Sequence, residues 1–173
     1  MRDVIETKRL ILRQFRPSDS SPYAAMCADP EVMRYLGTGQ TLSALDAWRS
    51  FAFFVGHWKL LGYGPFAVEE KTSGRFIGRI GFYNPPSWPG FELGWVLARD
   101  SWGQGYATEG ASAALRVAFE DLNRDHVISL IQPDNTASVR VAERIGETFE
   151  GKIELRGNDV LVYGIRRPET PGL

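Results

Sequence analysis

The chain has 173 residues, 43% of them hydrophobic and 24% charged, enough for one domain with a sizeable core. Its formal net charge of −1 at pH 7 gives no global field toward nucleic acid or an anionic membrane. The single cysteine, Cys27, excludes an intrachain disulfide and fits a reducing compartment. The opening MRDVIETKRL has no apolar signal core, and no run nears the roughly 20 apolar residues of a membrane span. The expectation is a soluble cytoplasmic protein.

In chain order, RLILRQF (9–15) reads as a strand. Residues 16–36 read as one or two short helices punctuated by Pro and Asp, with Cys27 as a packing residue. Residues 41–62 read as a helix capped by Thr41 or Ser43 and ended by Gly62, with Leu45, Trp48, Ala52 and Val55 on one apolar face. Three strands follow, PFAVEEK (65–71), FIGRIGFYN (76–84) and FELGWVL (91–97). TSG joins the first two as a hairpin, and the proline-stiffened PPSWPG joins the second and third. A helix then carries Ala111, Leu115, Ala118 and Leu122 on one stripe. HVISLIQ (126–132) reads as a strand, and 135–146 as a helix capped by Asn135, striped by Ala137, Val141 and Ile145, and ended by Gly146. FEGKIEL (149–155) and VLVYGIRR (160–167) close as a hairpin. That order is α+β rather than a regular βαβ alternation.

The segment DSWGQGYATEG (100–110) places glycines between a strand and a helix, the setting of a phosphate site. Three phosphate motifs compete. The dinucleotide pattern GxGxxG finds Gly103 and Gly105 but Thr108 in its third place, and it lies past mid-chain after antiparallel-looking strands. GETFEGK (146–152) matches GxxxxGK, but Ile153 offers no hydroxyl to a metal and the order runs helix to strand, the reverse of a P-loop. The run WGQGYA (102–107), after a strand and opening a helix, fits the order.

Here the chain resembles the GNAT superfamily of acetyl-CoA-dependent N-acetyltransferases, and within it the branch of bacterial ribosomal-protein N-terminal acetyltransferases. TKRLILRQFRPSD resembles that branch's opening strand, FELGWVLARDSWGQGYATEG its fourth strand and pyrophosphate loop, and NTASVRVAERIG the helix after its fifth strand. The resemblance implies a single N-acetyltransferase domain over 1–173. Its mixed, mostly antiparallel sheet would have about six or seven strands and about four flanking helices, with the fourth strand splayed from the fifth. It implies acetyl-CoA as co-substrate, an amine acceptor, no metal, no nucleic acid or membrane partner, and a monomer or homodimer.

The implied cofactor residues are Val96 and Leu97 for the pantetheine arm, Gly103, Gln104, Gly105, Tyr106, Ala107 and Thr108 for the pyrophosphate, and Asn135 facing the same cleft. Backbone N–H groups at a helix start suit a pyrophosphate, and glycine lets backbone approach its oxygens. Asn135 serves as helix cap, cleft residue or both. For the chemistry, Glu92 is the candidate base, against a solvent-facing or ion-paired strand residue. The tyrosine that the superfamily uses to protonate the leaving thiolate is replaced by Ala142. Ser138 stands where the resembled branch offers a serine, as hydrogen-bond donor or as a small spacer. Glu147 replaces the usual phenylalanine after Gly146, and Phe149 is expected to fill that core space. His57 and His126 are read as structural, and no His, Cys or acid cluster has metal-ligand spacing. The function that follows is acetyl transfer to a primary amine, of a protein N-terminus or a small molecule, by direct attack in a ternary complex. The alternative is a CoA-binding sensor with little turnover.

Overall fold

The computed structural model describes residues 2–168. Its strands are β1 (Val4–Glu6), β2 (Leu10–Arg13), β3 (Pro65–Glu70), β4 (Phe76–Tyr83), β5 (Glu92–Leu97), β6 (His126–Ile131), β7 (Thr148–Leu155) and β8 (Asn158–Arg166). Its helices are α1 (Ser20–Cys27), α2 (Pro30–Met33), α3 (Ala44–Leu61), α4 (Tyr106–Glu120) and α5 (Thr136–Arg144). The strands form one sheet in the order β1-β2-β3-β4-β5-β6-β8-β7. Each predicted strand is present. The addition is β1, a three-residue strand that pairs antiparallel with β2 and is too short to show a two-residue period.

Every neighbouring pair is antiparallel except β5 and β6, which run parallel and share one register pair, Glu92↔Ile128. Among the described residues, the β6-facing edge of β5 has no strand partner past that pair. The predicted splay between the family's fourth and fifth strands is this parting of β5 from β6.

On one face of the sheet α4 buries Ala111, Ala114, Leu115 and Ala118 against Leu10, Leu12, Ile80, Phe82 and Leu93. On the other, α1 and α3 bury Tyr23, Met26, Cys27, Ala47, Phe51 and Phe54 together with Val96. The packed face of α3 is therefore not the predicted one. Leu45 and Trp48, each 57% exposed, and Val55 lie on its solvent side. Apolar residues surround this helix, so periodicity alone does not select the buried stripe. Its ends are as expected: Ser43, rather than Thr41, accepts from the Asp46 N–H at 3.1 Å, and Gly62 closes the helix in the left-handed region. No described helix is long and apolar enough to cross a membrane.

Candidate active site

The glycine loop leads directly into α4. Gly103 and Gly105 have φ of +72° and +78°, a conformation costly for any residue with a Cβ. Gly105 is the helix N-cap, so the N–H groups of Tyr106, Ala107 and Thr108 start a helix with no earlier turn to accept them. These donors and the helix dipole leave a positive end beside the loop.

Side chains from the far end of the sheet fix the loop. Arg9 Nη1 donates to the Gln104 carbonyl at 2.9 Å, and Arg9 Nε donates to Glu109 at 2.7 Å. Its guanidinium lies 4.5 Å from the centre of the Tyr106 ring, whose hydroxyl donates to Glu70. Glu109 also accepts from Thr7 Oγ1 at 2.6 Å and the Arg9 N–H at 2.8 Å. Arg9, Glu70 and Glu109 were not legible as site residues, because contacts 36 to 100 positions apart leave no local pattern.

A cleft of about 370 Å³ opens between this loop, β5 and α5. Gly103, Gly105, Tyr106, Ala107 and Thr108 line one end, and Asn135 and Ser138 the α5 wall. Gln104 is the one implied loop residue outside it; its side-chain amide donates to the Asp100 carbonyl at 3.2 Å. Arg34, Arg140 and Arg144 also line the cleft and bring cationic groups the motif did not indicate.

Val96 and Leu97 both line the cleft, but their backbones face opposite ways. The Ala98 N–H donates to the Ile77 carbonyl of β4, and two residues earlier Val96 pairs with Arg79 of the same strand. Alternation then turns the Val96 amide toward β4 and leaves those of Trp95 and Leu97 on the open edge. Val96 therefore offers no amide to the open edge, where the expectation placed one; Trp95 and Leu97 do, and Val96 lines the cleft wall. The Leu97 carbonyl accepts from the Trp102 indole at 2.8 Å.

Ser138 and Asn135 occupy the first turn of α5. Asn135 caps it, its Oδ1 accepting from the Ser138 N–H at 3.1 Å, while facing the cleft. Ser138 Oγ accepts from the Trp95 indole at 3.2 Å, which leaves its own proton free to donate. Glu92 lies on the other side of β5, on the face it shares with Val96 and toward α1 and α3. Its Oε2 accepts from the Trp88 indole at 2.7 Å. The residue keeps partial solvent contact, yet burial pushes its pKa up to about 7, against the Trp88 hydrogen bond and the charge of Arg79. Candidate base and candidate donor therefore flank the open edge of β5 from opposite faces.

Residues 9–148 match the acetyltransferase (GNAT) domain. The chain belongs to the GNAT acetyltransferase family. It is 33% identical over 147 residues to the uncharacterized N-acetyltransferase YnaD of Bacillus subtilis, covering 85% of this chain and 84% of that protein. It superposes on the crystal structure of an acetyltransferase from Agrobacterium tumefaciens with a TM-score of 0.85, at 33% identity over 96% of each chain. RimL, a ribosomal L7/L12 alpha-N-protein acetyltransferase crystallised with coenzyme A, shares the fold at 17% identity, with a TM-score of 0.76 and coverage of 94% and 97%.

Ala142, where the resemblance places the superfamily's acidic tyrosine, is buried with Ile131 and Tyr163. The core space after Gly146 is not filled by Phe149, which is 54% exposed. Glu147 itself is buried there. The other reactive residues have structural partners. His57 Nδ1 donates to the Tyr63 carbonyl at 2.8 Å, its Nε2 accepts from the Asn84 N–H at 3.4 Å, and burial lowers its pKa. Burial raises the Cys27 thiol's pKa, which removes thiolate character. His126 pairs with Glu150 at 2.9 Å.

Proposed function

We propose that this GNAT protein transfers an acetyl group from acetyl-CoA to a primary amine by direct attack in a ternary complex. The observation that carries this reading is one continuous cleft joining the glycine-loop start of α4 to the unpartnered edge of β5. The residues present suit the co-substrate. The α4 N–H groups and the left-handed glycines suit a pyrophosphate. Arg34, Arg140 and Arg144 supply further positive charge along the cleft. The open-edge backbone of Trp95 and Leu97 suits the amides of a pantetheine arm, as an added strand would pair.

The amine approaches from the Glu92 face. A lysine amine with pKa about 10.4 costs roughly 4–5 kcal/mol to deprotonate at neutral pH, whereas an α-amine near 8 costs about 1 kcal/mol. The carboxylate of Glu92 takes that proton directly or through a water. The amine nitrogen then attacks the thioester carbon and the C–S bond breaks; the sulfur leaves as thiolate with the Ser138 hydroxyl as hydrogen-bond donor, and the second N–H proton, lost as the amide forms, passes through water to the thiolate and gives free thiol. The lower cost favours an α-amino acceptor, as the resemblance to the ribosomal-protein branch implies. Calorimetric titration with acetyl-CoA, followed by an amine panel scored for free thiol, tests the reading. Binding without thiol release from any amine would favour the sensor instead.

Two variants probe the parts. Arg9→Ala is expected to weaken acetyl-CoA binding roughly tenfold with the fold kept, the scale of one charged hydrogen bond lost from the loop. Arg9→Lys is not expected to restore it, since an ammonium lacks the planar fork; wild-type affinity in Arg9→Ala would show that the loop holds itself. Ser138→Ala is expected to lower kcat about 10- to 100-fold with acetyl-CoA affinity nearly unchanged, because the donor matters only as the thiolate forms. Unchanged turnover in that variant would reduce Ser138 to a small spacer.

A further inference from the structure

A buried contact holds β5 to β6 at the foot of the cleft. The Ser129 hydroxyl of β6 lies 2.8 Å from the Leu93 carbonyl of β5, on its β6-facing edge. The same oxygen lies 3.0 Å from Glu147 Oε1. Ser129 and Glu147 are each 2% exposed. A serine hydroxyl has a single proton, and a backbone carbonyl can only accept. Both contacts are hydrogen bonds at once only when the Ser129 proton lies toward Leu93 and the glutamate supplies the proton of the second. Glu147 Oε2 is buried with no hydrogen-bond partner among the described residues, an environment far costlier for a carboxylate than for an acid.

We propose that Glu147 is a positioning residue: as a neutral carboxylic acid it donates to Ser129 Oγ, commits the serine proton to Leu93, and so rivets β5 to β6 below the open edge. The link to acetyl-CoA rests on the proposed reading of the cleft. The device is a competition for one proton. Once ionised, Glu147 becomes an acceptor for the Ser129 hydroxyl, and the Leu93 carbonyl loses its partner. The groups facing Glu147 act against ionisation. Burial pushes its pKa up to about 8, and the carboxylates of Glu150 on β7 and Glu92 on β5 push the same way, against the Ser129 hydrogen bond. The other polar groups nearby act on those two carboxylates: His126 of β6 hydrogen-bonds Glu150, and the charge of Arg79 on β4 acts on Glu92. Glu147 keeps its proton at pH 7 and gives it up as pH rises through about 8.

Glu147→Gln preserves a neutral donor to Ser129 at every pH, and Ser129→Ala removes the rivet. Amide hydrogen exchange of β5 and β6 is measured for wild type and both variants from about pH 6 to about pH 9. Comparison at each pH cancels the intrinsic pH dependence of exchange. Wild type is expected to match Glu147→Gln at the acid end and to lose roughly tenfold in protection relative to it at the alkaline end, the scale of one buried hydrogen bond. Ser129→Ala, which lacks the same hydrogen bond, is expected to show that roughly tenfold lower protection at every pH. Acetyl-CoA affinity, titrated in parallel, is expected to follow the same three curves. Identical pH curves for wild type and Glu147→Gln, or a Gln variant protected no better than Ser129→Ala, would overturn the proposal. Absent acetyl-CoA binding in wild type would defeat the reading of the cleft, while the exchange data would still decide the rivet.

Discussion

Gly105→Val is expected to lose at least about 100-fold in acetyl-CoA affinity while remaining folded, as two or more charge-assisted hydrogen bonds to the pyrophosphate fail together. Gly105 sits at φ +78° as the N-cap of α4, a conformation a β-branched side chain resists. Space is not the obstacle, since an added Cβ would meet only the end of Arg9, at 3.6 Å. The strain is relieved by turning the loop, which re-aims the first N–H groups of the helix. The loop is exposed and lies outside the core, so circular dichroism and the unfolding midpoint should change little. Calorimetry decides: wild-type affinity in a folded Gly105→Val protein would remove the pyrophosphate from this loop.

Glu92→Gln is expected to lower kcat by about 100-fold, the usual scale for a lost general base, with acetyl-CoA affinity unchanged because Glu92 does not line the cleft. The pH profile carries the assignment. A base must be ionised to act, and burial sets the Glu92 pKa at about 7, so wild-type kcat/KM should rise with pH up to about 7 and then level off. The Gln variant should lack that limb. Stability should move in the opposite sense. The folded-state pKa of Glu92 lies above its ordinary value of 4.5, so wild type loses stability as pH rises from there to about 7. Glu92→Gln removes that loss and should be both slower and more stable at neutral pH. A variant with the wild-type acidic limb would return Glu92 to a structural role.

The sequence made some of this site legible, and particular residues show why the rest was hidden. The glycine loop and the helix after it were readable because strand, glycines and stripe are contiguous, and Ala111, Leu115 and Ala118 are buried as their spacing requires. The packed face of α3 was not, because Phe51 and Phe54 compete with Leu45 and Trp48 and only the sheet beneath chooses. The backbone role given to Val96 failed on parity. A strand's pattern tells which residues share a face but not which edge their amides address, and the Ala98 bond to Ile77 settles that. Arg9 and Glu109 meet across a separation of 100 residues, beyond any local signal. Glu147 was noticed only as a departure from the family's phenylalanine. Its burial beside Ser129 depends on β6, α5 and β7 converging, and Phe149 turns outward on the strand that follows.

The central claim is acetyl transfer from acetyl-CoA to a primary amine at the open edge of β5. The most direct measurement incubates the wild-type protein with acetyl-CoA and a set of amines spanning peptide N-termini, free amino acids and polyamines. Free thiol and the mass of each amine are followed together. The expected result is one free thiol for each amine that gains an acetyl group, fastest with an α-amino acceptor and increasing with pH up to about 7 as Glu92 ionises. Saturable acetyl-CoA binding with no acetylated amine and no thiol released, across all acceptor classes and that pH range, would contradict it.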